Sequence, residues 1–257
     1  MAACVKMPRM APDAAVRELA PTGALRVGAA VGPAASPGWA VVDPGTGQPQ
    51  GVVVDLGRAL ADRVRMPMEL IRFASSGEVT DALTEGAIDV GFMPVDEARA
   101  QLVAFGPNYA LGTSTYLVAP GSPISSIEEV DRPGIRVGGV EATTTIRAAR
   151  RSLTQTGVTG TEGADELLQR LRAGELDAVA LGRDSLRSLA ALIPGARILD
   201  GHFLATGTAI AVPKGRPAAL ELATTFIEDA KADGTVQAAF DHAGLEGATV
   251  APPGSIS

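Results

Sequence analysis

The sequence predicts an α/β protein built as two lobes, and three observations predict it. Short apolar strands alternate with capped amphipathic helices over most of the 257 residues. The alternation stops at the small polar segment Gly112-Thr113-Ser114-Thr115 and then begins again. The composition, 46% apolar and 20% charged, is that of a chain with enough core for two domains of ordinary size. Strands alternating with helices imply right-handed crossovers and a largely parallel, doubly wound sheet.

The elements follow in order. Residues 1–23, rich in Ala, Pro and Met, are expected to form a poorly ordered arm. Leu25 to Val31 is a short apolar strand ending at Gly32-Pro33. Trp39–Val42 and Gly51–Val54 flank the turn Asp43-Pro44-Gly45-Thr46-Gly47 and read as a hairpin. A helix over Leu56–Arg65 carries Leu56, Ala59, Leu60 and Val64 on one face. Met68–Phe73 is the next strand, and Ser75-Ser76-Gly77-Glu78 caps a helix over Val79–Glu85. Asp89–Met93 is a third strand, followed by a tight loop, a short helix bearing Arg99, and a strand from Val103 heading for a hinge.

Beyond the polar segment, strands are expected at Tyr116–Ala119, Ile135–Gly138, Asp177–Leu181, Arg197–Leu199 and Thr208–Val212. Helices are expected at Ser126–Val130, Ile146–Gln155, Ala164–Ala173, Asp184–Leu192, Pro217–Ala232 and Val236–Ala243.

Charge and composition narrow the function. A net charge of −7 without a basic run argues against nucleic acid and anionic membrane as partners. No segment approaches the roughly eighteen uninterrupted apolar residues of a membrane helix. The single cysteine, Cys4, allows no intramolecular disulfide, and His202 and His242 lack neighbouring cysteines, which argues against a His/Cys metal site. A carboxylate-only site stays open although no calcium-loop spacing appears, and no cofactor is expected. Residues 1–23 contain Lys6 and Arg9 but no apolar signal core. A chain without a signal is expected in the cytoplasm, unless the signal precedes Met1; Ala2-Ala3-Cys4 is similar to the end of a lipoprotein processing site.

Several residues are candidates for a site. Arg99 offers a permanently charged, planar fork suited to a carboxylate, against a reading as a solvated helix arginine. Trp39 follows the first strand and serves either as an aromatic wall or in packing. Of Ser75 and Ser76, one is expected to cap its helix and the other to face a cleft. Asp96 reads as the cap of the helix bearing Arg99, and Tyr109 as structural.

An ordered set of phrases carries a resemblance. It comprises Leu25-Arg26-Val27-Gly28, Gly51 to Ala61, Ala82-Leu83-Thr84-Glu85-Gly86-Ala87-Ile88-Asp89-Val90, Arg99 with Val103-Ala104-Phe105 and Tyr109, Val137-Gly138, Thr143-Thr144, and Gly174-Glu175-Leu176-Asp177-Ala178-Val179. Over residues 24–250 the chain resembles the family 3 extracellular solute-binding proteins, the receptor components of amino-acid ABC transporters. The resemblance implies a type II periplasmic-binding fold: mixed sheets flanked by helices, two lobes, and two crossing hinge strands. It places residues 24–112 and 207–257 in one lobe and 113–206 in the other, with a return crossing near Thr206-Gly207-Thr208. It implies a non-catalytic, monomeric, periplasmic binder of a small carboxylate-bearing or amino-acid-like solute, working with a permease.

The same resemblance puts Arg99 on the ligand's carboxylate and Thr143 and Thr144 at a second-lobe helix start, where free amides and hydroxyls favour an anion. Asn108, just before the hinge, and Met93 complete the expected set, although Phe92-Met93-Pro94 departs from the family's Ser/Thr-rich loop and removes part of its α-amino-acid clamp. The acid that usually receives an α-amino group is replaced by Gly182, with Asp184 two residues on as a substitute, and Ala142 stands where glycine is common. Arg183 adds a base nearby; pointing inward, it would favour a dianion. The competing class is a dehydratase on the same scaffold, for which no nucleophile–base pair is visible. A cytoplasmic sensor or sequestering protein is the other alternative.

Overall fold

The computed structural model describes residues 13–256. Residues 1–12, and with them Cys4 and most of the expected arm, lie outside the described residues. The remainder of that arm is a correction: α1 (Asp13–Leu19) is a helix, with Leu19 and Ala15 buried in the core. It docks on a partner some 200 residues away. The Glu18 carboxylate accepts the Ala218 and Ala219 N–H groups, at 2.8 and 3.1 Å, where a later helix begins.

The first sheet half starts with β1 (Leu25–Ala30). A two-residue hairpin follows, β2 (Val41–Val42) with β3 (Pro49–Gln50). Gly51–Val54 is not its second strand: α2 (Val52–Val64) already begins at Val52, capped by Gly51 at φ 135°. Three valines in a row favour a strand locally, but here Val52, Val53 and Leu56 are fully buried, and tertiary packing outweighs propensity. Next come β4 (Met68–Phe73), α3 (Ser76–Thr84), β5 (Val90–Pro94), the single turn α4 (Glu97–Ala100) and β6 (Val103–Val118). The two strands expected on either side of Gly112 are one 16-residue strand.

The second half contains β7 (Val137–Val140), α5 (Thr144–Ser152), β8 (Val158–Thr161), α6 (Ala164–Arg172), β9 (Ala178–Gly182), α7 (Arg183–Leu192) and β10 (Arg197–Ile198). Ser126–Val130 is only a three-residue 3-10 turn at Glu128–Val130, and β8 is a strand that periodicity did not predict. Then β11 (Leu204–Pro213) returns, followed by α8 (Pro217–Ala232), α9 (Thr235–His242) and β12 (Thr249–Val250).

Strand order is β4-β1-β5-β11-β6-β9-β7-β8, with β10 and β12 also paired to β6. β1 runs parallel to β4 and β5, and β7 parallel to β8 and β9. Between these two parallel groups β6 and β11 run antiparallel, from Val103↔Pro213 to Ser114↔Leu204. The sheet is therefore mixed rather than largely parallel, and the two halves are joined by one pair of long strands.

Asp89, just before β5, anchors the first half. Its fully buried carboxylate accepts Arg26 Nε and Nη2 at 2.9 and 2.7 Å and Arg216 Nη1 at 2.9 Å. Tyr109 meets Phe92 edge-on at 5.8 Å and donates its hydroxyl to the Pro37 carbonyl at 2.5 Å.

Candidate functional site

The carboxyl ends of β1, β4 and β5 face those of β7 and β9 across the β6–β11 pair. Open α/β sheets bind ligands at such ends because loops there are free to vary while the strands hold them in place. Between them lies a small cavity of about 70 Å³, lined by Trp39, Ser76, Thr143, Thr144, Arg183 and Asp184 among others. A second cavity of about 780 Å³ adjoins it and shares Leu111, Gly112, Thr113, Thr144, Arg183, Asp184 and Thr206. The two are chambers of one cleft.

Arg99 stands at the edge of the small chamber, one contact behind its lining. Asp96 caps α4 by accepting the Arg99 N–H at 2.9 Å, which turns the Arg99 side chain inward. The guanidinium, 2% exposed, donates Nη1 to the Pro94 carbonyl at 3.0 Å. Nη2 donates to Ser76 Oγ at 2.7 Å and to the Ala142 carbonyl at 3.1 Å. Nε has no partner among the described residues. No carboxylate pairs with the guanidinium there either. Burial pushes its pKa down to about 10, the positive field of Arg147 adds to the fall, and Asp96 and Asp81 offset it from a distance.

Arg99 is also a bridge, since Ser76 and Pro94 belong to the first half and Ala142 to the second. A second bridge lies beside it. Asp96 accepts Thr144 Oγ1 at 2.6 Å and pairs with Arg147. Burial raises the Asp96 carboxyl, but hydrogen bonds from Thr144, Arg147 and the Arg99 N–H outweigh it and leave the pKa below the usual carboxylate value. Ala142 takes a left-handed backbone, φ 55°, and its Cβ lies against Gly77. A Cβ on Gly77 would come within 2.5 Å of it, so the halves meet here at backbone distance.

The other predicted residues sort clearly. Ser75 is the cap of α3, accepting the Glu78 N–H at 3.2 Å, while Ser76 faces the cleft. Thr143 caps α5, accepting the Ile146 N–H at 3.2 Å, and also lines the small chamber. Trp39 forms part of its wall. Arg183 lines both chambers, held to Thr113 Oγ1 at 3.4 Å and to the Gly201 carbonyl. Asn108 borders only the large chamber, under Ser255. Met93 is fully buried, with its sulfur accepting the Thr80 hydroxyl at 3.2 Å, and it borders neither chamber.

Periodicity missed Ser36, Ser114, Thr145, Thr206 and Thr208, which surround the small chamber with hydroxyls. Alternation of small polar residues along two central strands was the available signal. Arg147 was also missed, though it sits one helical turn after the Thr143 cap. Asp184 borders both chambers; burial raises its pKa, and Arg187 at 2.9 Å opposes the rise.

Residues 29–244 match the sequence pattern of the bacterial extracellular solute-binding proteins, family 3. The chain belongs to that family. Among its relatives, a glutamine-binding protein of Geobacillus stearothermophilus is 27% identical over 166 residues, 63% of this chain and 63% of that one. The glutamine-binding protein of an ABC transporter from Bacillus subtilis (strain 168) is 25% identical over 196 residues, 75% of this chain and 71% of that one. These relatives are named as binding proteins, not as enzymes. An ancestral arginine-binding protein solved with glutamine is 27% identical and superposes with a TM-score of 0.77, over 87% of this solute-binding protein and 99% of that structure. The fold is thus the two-lobed type II arrangement that the family resemblance implied.

Proposed function

We propose that this family 3 protein captures an amino acid in the interlobe cleft and is the receptor of an uptake ABC transporter, acting outside the cytoplasmic membrane. The moving bodies are residues 24–112 with 207–257, and 113–206, which swing about the β6–β11 pair. The observation that carries the reading is Arg99: a buried guanidinium with an idle Nε and no carboxylate against it. A buried cation is costly unless an anion meets it, and a ligand carboxylate is the anion that fits its fork.

Ser76 and Thr144 supply hydroxyls beside that position, and Trp39 an apolar wall. As the halves part, the Ala142 carbonyl leaves Nη2 and frees a second donor for the carboxylate. Asp184, held partly desolvated at the far side, suits an α-ammonium, in place of the acid absent at Gly182. Relatives named for glutamine and arginine support an amino acid as the solute class. Isothermal titration with L-amino acids and with their decarboxylated amines tests the reading. Binding should require the carboxylate, and amines binding as tightly as the acids would refute it.

A further inference from the structure

The large chamber carries more positive charge than a neutral amino acid can use. Five guanidinium groups, those of Arg99, Arg147, Arg151, Arg183 and Arg187, stand in or beside the cleft, whose lining holds two carboxylates, Asp96 and Asp184. Each acid faces one of these arginines, Asp96 facing Arg147 and Asp184 facing Arg187 at 2.9 Å, so three guanidinium groups exceed the carboxylates of the lining. Arg183 is half-buried, and its hydrogen-bond partners are all neutral: Thr113 Oγ1, and the Leu199 and Gly201 carbonyls; the acid it feels is the adjacent Asp184. Arg151 makes no hydrogen bond or ion pair among the described residues. The surrounding protein has a net charge of −7, so this local excess opposes the overall balance.

Resting on the reading that Arg99 seats the first carboxylate, we infer that the solute carries a second carboxylate, which Arg183 and Arg151 receive. The ligand class is then an acidic amino acid, its α-carboxylate at the hydroxyl-lined chamber and its side-chain carboxylate in the larger one. Thr144, Arg183 and Asp184 border both chambers, which puts the two binding positions side by side. Arg183 is already fixed by its carbonyl partners, and a preorganised guanidinium loses little freedom on meeting an anion. A cationic side chain would instead meet unpaired arginines, which opposes its binding.

The test is titration calorimetry at pH 7 with two pairs that are nearly isosteric and differ in charge: L-glutamate against L-glutamine, and L-aspartate against L-asparagine. In at least one pair the acid should bind about tenfold or more tightly than its amide, as a charge-assisted contact replaces a neutral one. Arg183→Gln should bring that ratio towards one. Arg151→Gln, at an exposed position without partners, should narrow it in the same direction without threatening the fold. Amides binding as tightly as both acids, or a ratio indifferent to both variants, would overturn the second-carboxylate assignment alone. Failure of every amino acid to bind would overturn the amino-acid reading as well.

Discussion

Replacing Arg99 with methionine separates a functional arginine from a structural one, because the two roles predict opposite effects on stability. In a structural ion pair the loss of one partner leaves a buried countercharge and costs about 3–5 kcal/mol. Arg99 has no such partner. The fall of its pKa to about 10 means that the fold holds the charged form at a disadvantage of about 3 kcal/mol at neutral pH. Its donors make three hydrogen bonds, to Pro94, Ser76 and Ala142, whose net worth is about 1 kcal/mol each. The two contributions nearly cancel, and methionine fills much of the vacated volume. Arg99→Met should therefore leave ligand-free stability within about 1.5 kcal/mol of the parent in urea denaturation. In calorimetry the same variant should lose solute binding altogether. A loss of more than about 3 kcal/mol, with binding retained, would show that Arg99 supports the fold and that the cleft takes its ligand elsewhere.

Four further outcomes follow from the same contacts. Gly77→Ala should force the two halves apart where they now touch, since its Cβ would come within 2.5 Å of the Ala142 Cβ, and should weaken binding about tenfold or more. An unchanged affinity would show that the halves need not close at this point. Asp89→Asn should cost about 3–5 kcal/mol in urea, because Arg26 and Arg216 are left partly buried and unpaired; a loss below about 1 kcal/mol would contradict the role given to this cluster. Trp39, the only tryptophan, lines the cleft, so its emission should shift on solute addition, and a silent titration alongside calorimetric heat would remove it from the site. Asp96 has a folded pKa below its unfolded one, so it stabilises the protein above the ordinary carboxylate value and ceases to do so as pH falls through its folded value. The stability difference between the parent and Asp96→Asn should accordingly shrink below about pH 4, and a difference that grows there would reverse the sign argued here.

Much of the fold was legible because its signals are local. The β1 and β4 strands, the Ser75 and Thr143 caps and the Pro217 start of α8 each declare themselves within a few residues. What misled was context. Val52–Val54 reads as a strand until its burial in α2 is known. Val158–Thr161 carries too little apolar alternation to announce an edge strand. In α1 only Ala15 and Leu19 are apolar and buried, and a helix of seven residues stands because α8 covers it. Around the small chamber, Thr143 and Thr144 lie with Ser76 and with Arg99 just behind them; the family resemblance, not any local signal, singles out the arginine and the two threonines. Met93 does not join them, since on β5 its side chain falls on the face that packs against Thr80. The hydroxyls on β6 and β11 escaped notice because small polar residues alternating along a strand mark one of its faces without saying that a cavity lies there.

The route of the chain through β6 and β11 also bears on how the protein comes to be folded. The half containing β7, β8 and β9 is built from one uninterrupted stretch and can assemble as soon as that stretch emerges from the ribosome. The half containing β1, β4 and β5 is made first but cannot be finished: its sheet waits for β11, and Glu18 waits for the start of α8. Its unsatisfied β5 edge therefore stays open while about a hundred further residues are synthesised, and during that interval the nascent protein is most exposed to mispairing.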